Sequence, residues 1–290
     1  MGSGIKIVAD AGGTKTNWWV RCSSGEEFRI STGGINAAVS NDEEILTSVE
    51  EMAQRVRSAV PDLCENPIEL FFYGAGCNSL QAEERLVRAF NQVLAGCLIH
   101  FEFHTDLEGA ARALFGDDAG IACILGTGSA TGLYNGKYIL KSIPSLGFIL
   151  GDEGSGAYMG KLLLNRYYKL DLSPSLKGKL EAYGIPEQAD TIRRVYREES
   201  PNRFLASFVP FIKENENDAE ISRLIDESLK LFFEANVLKY KDSKISRIGF
   251  VGGVANAFSA RLEKLAAGYN MEVVCFLTSP IDSLTRYYQK

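Results

Sequence analysis

The chain has 290 residues, 46% hydrophobic and 23% charged, with a net charge of −6. That size exceeds one small core and predicts two domains of ordinary size in a soluble globular protein. The acidic balance argues against a nucleic-acid partner, which needs a basic face, and no apolar run approaches the ~20 residues that span a bilayer. Phosphate binding stays open, because glycine-loop N–H groups bind anions without net positive charge.

Met1-Gly2-Ser3-Gly4 lacks the charged and apolar regions of a signal peptide and reads as a cloning remnant, so a cytoplasmic protein is expected. Cys22, Cys64, Cys77, Cys97, Cys123 and Cys275 form no CxxC and mostly lie in apolar runs, so buried free thiols are expected. With only His100 and His104, a His-rich metal site is not.

In chain order, Ile5–Asp10 and Thr16–Cys22 read as strands joined by the tight loop Asp10–Lys15, an antiparallel hairpin, with Glu27–Ser31 as a third strand. Over Asn41–Ser58, Ile45, Leu46, Val49, Met52, Ala53 and Val56 share one helical face, with Asn41 as N-cap and Pro61 past the end. Strand Ile68–Tyr73, helix Leu80–Leu94, strand Cys97–His104 and helix Leu107–Leu114 complete an α/β unit. The pattern then restarts. Strand Ile121–Leu125 and a glycine loop lead to strands Leu133–Tyr134 and Tyr138–Ser142 around an Asn135-Gly136 turn. A mostly helical stretch from Glu153 to Tyr240 precedes strand Ile245–Val251, helix Ala255–Ala267 and strand Glu272–Phe276. Strand–glycine loop–strand thus occurs twice. This predicts duplicated domains, 1–117 and 118–290, the second with a helical insertion and with 279–290 packing back on the first.

Two glycine loops carry the first chemical signal. "DAGGTKT" (Asp10–Thr16) and "LGTGSAT" (Leu125–Thr131) both occupy hairpin turns. Glycine lets backbone N–H groups approach an anion closely, and the hydroxyls of Thr14, Thr16, Thr127 and Ser129 add donors. Either loop alone is equally a plain turn, and Lys15 is equally a phosphate ligand or a solvated charge. Asp10 repels phosphate but suits Mg²⁺ held through water. In "GFVGGVANAF" (Gly249–Phe258) a strand meets Gly252-Gly253 and a helix, where a flat ring can lie on the backbone and the helix start attracts anions; ordinary strand–helix packing is the other reading. Asp106 ends a strand, where open α/β sheets present catalytic groups, or it caps the next helix. Asp152 and Glu153 precede a helix, where acidic charge is favourable in itself.

In this order the motifs resemble those of the sugar kinase, Hsp70 and actin superfamily. Within it the chain resembles the N-acetylglucosamine kinase branch, grouped with the BadF/BadG/BcrA/BcrD ATPases. "DAGGTKT" resembles the first phosphate motif, "LGTGSATG" the second and "GFVGGVANAF" the adenosine motif. "HTDLEGAARAL" (His104–Leu114) is similar to the segment with the catalytic aspartate, and "GDEGSGAYMG" (Gly151–Gly160) to a signature before a long helix. The resemblance implies an α/β fold of two duplicated RNase H-like (actin-like ATPase) domains around a nucleotide-binding cleft. It implies ATP contacts at Gly12, Gly13, Thr14, Lys15, Thr16, Gly126, Thr127, Gly128, Ser129, Gly252, Gly253 and Asn256, and Mg²⁺ at Asp10. It further implies Asp106 as base and Asn36, Asp106, Gly128 and Asp152 at the sugar; from the residues alone, Asn36 is equally a turn residue. The activity implied is transfer of the γ-phosphoryl group of ATP to an amino sugar, N-acetylglucosamine at its 6-hydroxyl, with a homodimer left open.

Two positions depart from that branch. Ala130 stands where it often has asparagine, and Leu146, within Pro144–Phe148, where it tends to have tryptophan. The resemblance implies that these positions help shape the sugar pocket, so glucosamine or N-acetylmuramic acid are alternative acceptors. The alternative activity is an activator ATPase of the 2-hydroxyacyl-CoA dehydratase type, which holds an iron–sulfur cluster on two closely placed cysteines per chain. The cysteine spacing here offers no such pair and leaves Asp106 unexplained. A non-catalytic sugar-responsive regulator would want a DNA-binding appendage, for which the strand at Ile5 leaves no room before it, and Asp10 and Asp106 speak for catalysis.

Overall fold

The computed structural model describes residues 4–289; Met1–Ser3, part of the stretch read as a cloning remnant, and Lys290 lie outside them. Two compact units emerge, one reaching Gly116 and resuming at Ser279, the other Asp117–Thr278.

The first unit holds β1 (Ile5–Ala11), β2 (Lys15–Arg21), β3 (Glu27–Gly33), α1 (Asp42–Ala59), β4 (Ile68–Gly74), α2 (Leu80–Val93), β5 (Ile99–Thr105) and α3 (Asp106–Phe115). Its sheet has the order β3-β2-β1-β4-β5. β1, β2 and β3 pair antiparallel; β1, β4 and β5 pair parallel. Central strands covered on both faces need continuous apolar runs, and Ile5, Ile7, Val8 and Ala9 of β1 are all buried. The α1 start is a reciprocal cap: Asn41 Oδ1 accepts from Glu44 N–H at 2.9 Å and Glu44 Oε2 from Asn41 N–H at 3.0 Å. Its Ile45, Val49, Met52, Ala53 and Val56 face inward, as the helical spacing predicts, while Leu46 is only half-buried. Trp18 fills the core edge-on to Phe90 and donates its indole N–H to Thr32 Oγ1 at 2.9 Å.

The second unit repeats the plan with β6 (Ala119–Leu125), β7 (Ser129–Asn135), β8 (Ile139–Ile143), β9 (Arg247–Val251) and β10 (Glu272–Leu277). The order β10-β9-β6-β7-β8 is that of the first sheet read from its other edge, with the same parallel and antiparallel pairs. The expected insertion lies between β8 and β9: α4 (Gly147–Leu150), α5 (Gly156–Tyr168), α6 (Pro174–Tyr183), α7 (Gln188–Tyr196), α8 (Pro201–Ala206), α9 (Val209–Glu214) and α10 (Ala219–Ala235). α11 (Gly253–Ala257) and α12 (Ser259–Gly268) separate β9 from β10. The core packs Leu163, Phe232, Phe233 and Phe250 together. Past Thr278 the chain rejoins the first unit as α13 (Ile281–Gln289), where Ile281 and Leu284 cluster with Val8, Trp19, Phe71 and Tyr73.

Three local expectations are corrected. The helix expected over Ala255–Ala267 starts two residues earlier and breaks at Phe258 into α11 and α12. Ser129–Gly132, read as loop, already belongs to β7, because its backbone pairs with β6. Cys64 and Cys97, expected as free thiols, form a disulfide 33 residues apart, with Cα atoms 4.2 Å apart. Parallel pairing of β4 with β5 sets Ile68 opposite Ile99 and brings the two preceding turns together. Cys22, Cys77 and Cys123 are buried and free, and Cys275 is half-buried and free. Among the described residues no helix is long and apolar enough to cross a membrane.

Candidate active site

In the first unit the site forms at the carboxyl ends of the parallel strands. Asp10 lies near the end of β1, with Tyr73 and His104 at the same level of β4 and β5. Asp106 follows β5 as the first residue of α3. The α3 cap is Thr105: its Oγ1 accepts from Glu108 N–H at 3.1 Å, and Glu108 Oε2 accepts from Thr105 N–H at 3.0 Å. Asp106 is thereby spared the capping task, and its Oδ1 accepts from Leu107 N–H at 2.9 Å.

Burial pushes the Asp10 carboxyl up to about 6, and the charge of Asp106 pushes the same way against hydrogen bonds from Ser279 and Asn17 and the charge of Lys15. Burial likewise raises Asp106, opposed by the Leu107 N–H and its own. Two desolvated carboxylates that repel each other suit a divalent cation. Among the described residues no cluster of three or more His, Cys, Asp or Glu could hold a metal ion. A buried pair of carboxylates is a donor set compatible with Mg²⁺, which takes few protein carboxylates and keeps several waters.

Gly12, Gly13 and Thr14 turn β1 into β2, closed by Gly12 N–H to the Lys15 carbonyl at 3.0 Å. A Cβ on Gly13 would meet no other atom within 4 Å, so the fold's own packing does not require glycine there; close approach by a ligand would. Gly34 differs: its Cβ would lie 2.5 Å from the Gly13 carbonyl carbon and the Thr14 nitrogen, so the chain after β3 lies tight under the loop. Thr14 and Lys15 are exposed, but Thr16 is 0% exposed. The Thr16 hydroxyl, expected at phosphate, is enclosed in the core and finds no hydrogen-bond partner among the described residues. Strand alternation turns it inward with Trp18.

Asn36 Oδ1 accepts from Ala38 N–H at 3.0 Å, and its carbonyl accepts from Val39 and Ser40. That turn is clamped by Arg85, which donates to the carbonyls of Ala37 (2.9 Å) and Ser40 (2.6 Å) and to Asp42 Oδ1 (2.6 Å). Arg85 escaped the sequence reading because nothing in a mid-helix arginine marks its partner.

The second unit gathers the other motifs. The Gly126-Thr127-Gly128 turn closes by Gly126 N–H to the Gly128 carbonyl at 3.0 Å. The start of α5 staples it: Gly156 N–H donates to the Gly126 carbonyl at 2.8 Å and Ala157 N–H to that of Thr127 at 3.1 Å. Ser129 N–H reaches Asp152 Oδ1 at 3.3 Å, and a Cβ on Gly128 would lie 3.0 Å from Asp152 Oδ2. Asp152 is 6% exposed at φ +55°, and burial raises its carboxyl. Gly252, at φ +121°, allows the adenosine-type motif to press on the loop, since its Cβ would lie 2.3 Å from the Leu125 carbonyl oxygen. Asn256 Nδ2 is committed to the Gly252 carbonyl at 2.8 Å, and Gly253 opens α11. Leu146, at φ 59°, is 64% exposed; its neighbour Ser145 accepts from Asp152 N–H at 3.0 Å.

No protein-family model and no curated protein matches the chain. Among solved structures, a Porphyromonas gingivalis protein described as a "putative N-acetylglucosamine kinase" is 35% identical with a TM-score of 0.87, over 99% of this chain and 98% of its own. A Chromobacterium violaceum protein of the same description is 17% identical, with a TM-score of 0.73 over 99% and 100%. A Schistosoma mansoni hexokinase complexed with glucose is 12% identical, with a TM-score of 0.55 over 98% and 85%. The last two likenesses speak for a shared fold alone.

Proposed function

The chain belongs to the N-acetylglucosamine kinase-like branch of the sugar kinase/Hsp70/actin superfamily, with the duplicated α/β units of an actin-like ATPase fold, and on that premise we propose that it is an ATP-dependent kinase of N-acetylglucosamine acting at the 6-hydroxyl. The observation that carries the reading is Asp106, set free of the helix cap at the carboxyl end of β5 with its carboxyl raised by burial. A more basic carboxylate is the better acceptor of a sugar hydroxyl proton while that oxygen attacks the γ-phosphorus. Asp10 would hold Mg²⁺, which when bound would offset charge on the transferring phosphoryl group. Gly12, Gly13, Thr14 and Lys15, and in the second unit Gly126, Thr127, Gly128 and Ser129, receive the phosphates, with Gly252 and Gly253 beneath adenosine. Asn256 serves that site by holding the Gly252 carbonyl. Asn36, Gly128 and Asp152 serve the sugar.

The test is ADP release from ATP and Mg²⁺ with N-acetylglucosamine, glucosamine, N-acetylmannosamine, N-acetylmuramic acid and glucose. Turnover is expected with N-acetylglucosamine and should fall about 10²–10⁴-fold in Asp106→Asn, the usual worth of a general base. Absence of sugar-dependent ADP from the whole panel would sink the reading. Preference for another hexosamine would keep the base and reassign the acceptor. The activator-ATPase alternative gains nothing here, since Cys64 is paired with Cys97 and Cys22, Cys77 and Cys123 are buried.

A further inference from the structure

Asp10 is held by neutral donors. Ser279 Oγ donates to Asp10 Oδ2 at 2.8 Å across 269 residues of sequence. Asn17, opposite Asp10 in the β1–β2 ladder, also hydrogen-bonds the carboxylate. Ser31 Oγ donates to Asn17 Oδ1 at 3.1 Å, which leaves the Asn17 amide N–H groups free to serve as donors. Asp10 forms no ion pair among the described residues, and Lys15 acts on it only through space. A neutral donor fixes the direction of a carboxylate without consuming its charge, whereas lysine or arginine in that place would compete with a cation.

Ser279 is also the residue with which the chain re-enters the first unit. Two residues on, Ile281 N–H lies 3.5 Å from the same Oγ at the start of α13. One hydroxyl thus ties the entry of α13 to the carboxylate.

We propose that Ser279 is a positioning residue that sets the Asp10 carboxylate for a hydrated Mg²⁺ on ATP. This rests on the kinase reading above. Ser279 touches neither nucleotide nor sugar in that reading; it acts through Asp10 alone.

The experiment is calorimetric titration of the intact chain with ATP, once with Mg²⁺ and once with EDTA, with thermal midpoints recorded beside it. Wild type should bind ATP more tightly with Mg²⁺. Ser279→Ala should lose roughly tenfold of that Mg²⁺-dependent gain, the scale on which groups that orient a metal's ligand matter, with its affinity in EDTA unchanged. Ser279→Thr, which keeps the hydroxyl, should restore the gain. In an Asp10→Asn background Ser279→Ala should change nothing further. A Ser279→Ala protein that keeps the full Mg²⁺ gain, or loses affinity equally with Mg²⁺ and EDTA, would overturn the proposal and leave only a structural role at α13. A wild type that binds no ATP under either condition would overturn the kinase reading, and this inference with it.

Discussion

At Asp10, burial and a neighbouring acid work against the ionised form that a cation would need. The folded carboxyl stands at about 6 against an ordinary 3.8, so the folded chain holds that proton more tightly than the unfolded one. Its contribution to stability is therefore complete below the lower value and lost as pH rises through the upper. Asp10→Asn removes the ionised state. In thermal scans without ligand it should melt higher than wild type at about pH 8 and flatten the decline between roughly pH 4 and 7; a lower midpoint at pH 8 would refute this. The positions of Asp10 and Asp106 at strand ends were legible in the sequence because each ends an apolar strand-like run beside glycine or a helix start. Ser279 was not, since its partner lies 269 residues away. Thr16 was legible as a motif residue but not in its direction, which depends on where β2 begins.

Among the elements, the strands and long helices follow from hydrophobic period and caps, and the duplication from the recurrence of a strand–glycine loop–strand. What the sequence left dark were features fixed by pairing: β7 beginning at Ser129, the break at Phe258, and the Cys64–Cys97 bridge. The bridge spans β4 and α2 and closes a 33-residue loop, which by chain entropy stabilises the folded state by about 3–4 kcal/mol. Alkylation of the unfolded, unreduced protein should label four cysteines, and six after reduction. Reduction, or Cys64→Ser, should lower the melting midpoint. Six labelled thiols without reductant would refute the bridge.

For the whole molecule, the informative feature is the return of residues 279–289 to the first unit. α13 covers one face of the first sheet, where Ile281 and Leu284 shield Val8, Trp19, Phe71 and Tyr73, and Tyr288 stacks on Phe71 at 4.1 Å between ring centroids. A chain ended at Thr278 should expose that face, bind a hydrophobic dye and shift Trp19 emission to the red, while the second unit, continuous from Asp117 to Thr278, keeps its helical signal. Unchanged emission and no dye binding would mean that the sheet face needs no cover.

The same feature sets an order on biosynthesis. The first unit leaves the ribosome early with all five strands of its sheet, but one face of that sheet stays without its cover until residues made after the entire second unit arrive. At roughly 5–20 residues per second that interval is about ten seconds or more. Throughout it the nascent chain carries an uncovered patch of Val8, Trp19 and Phe71, a natural foothold for a holding chaperone. The unit that begins first is thus the one that finishes last.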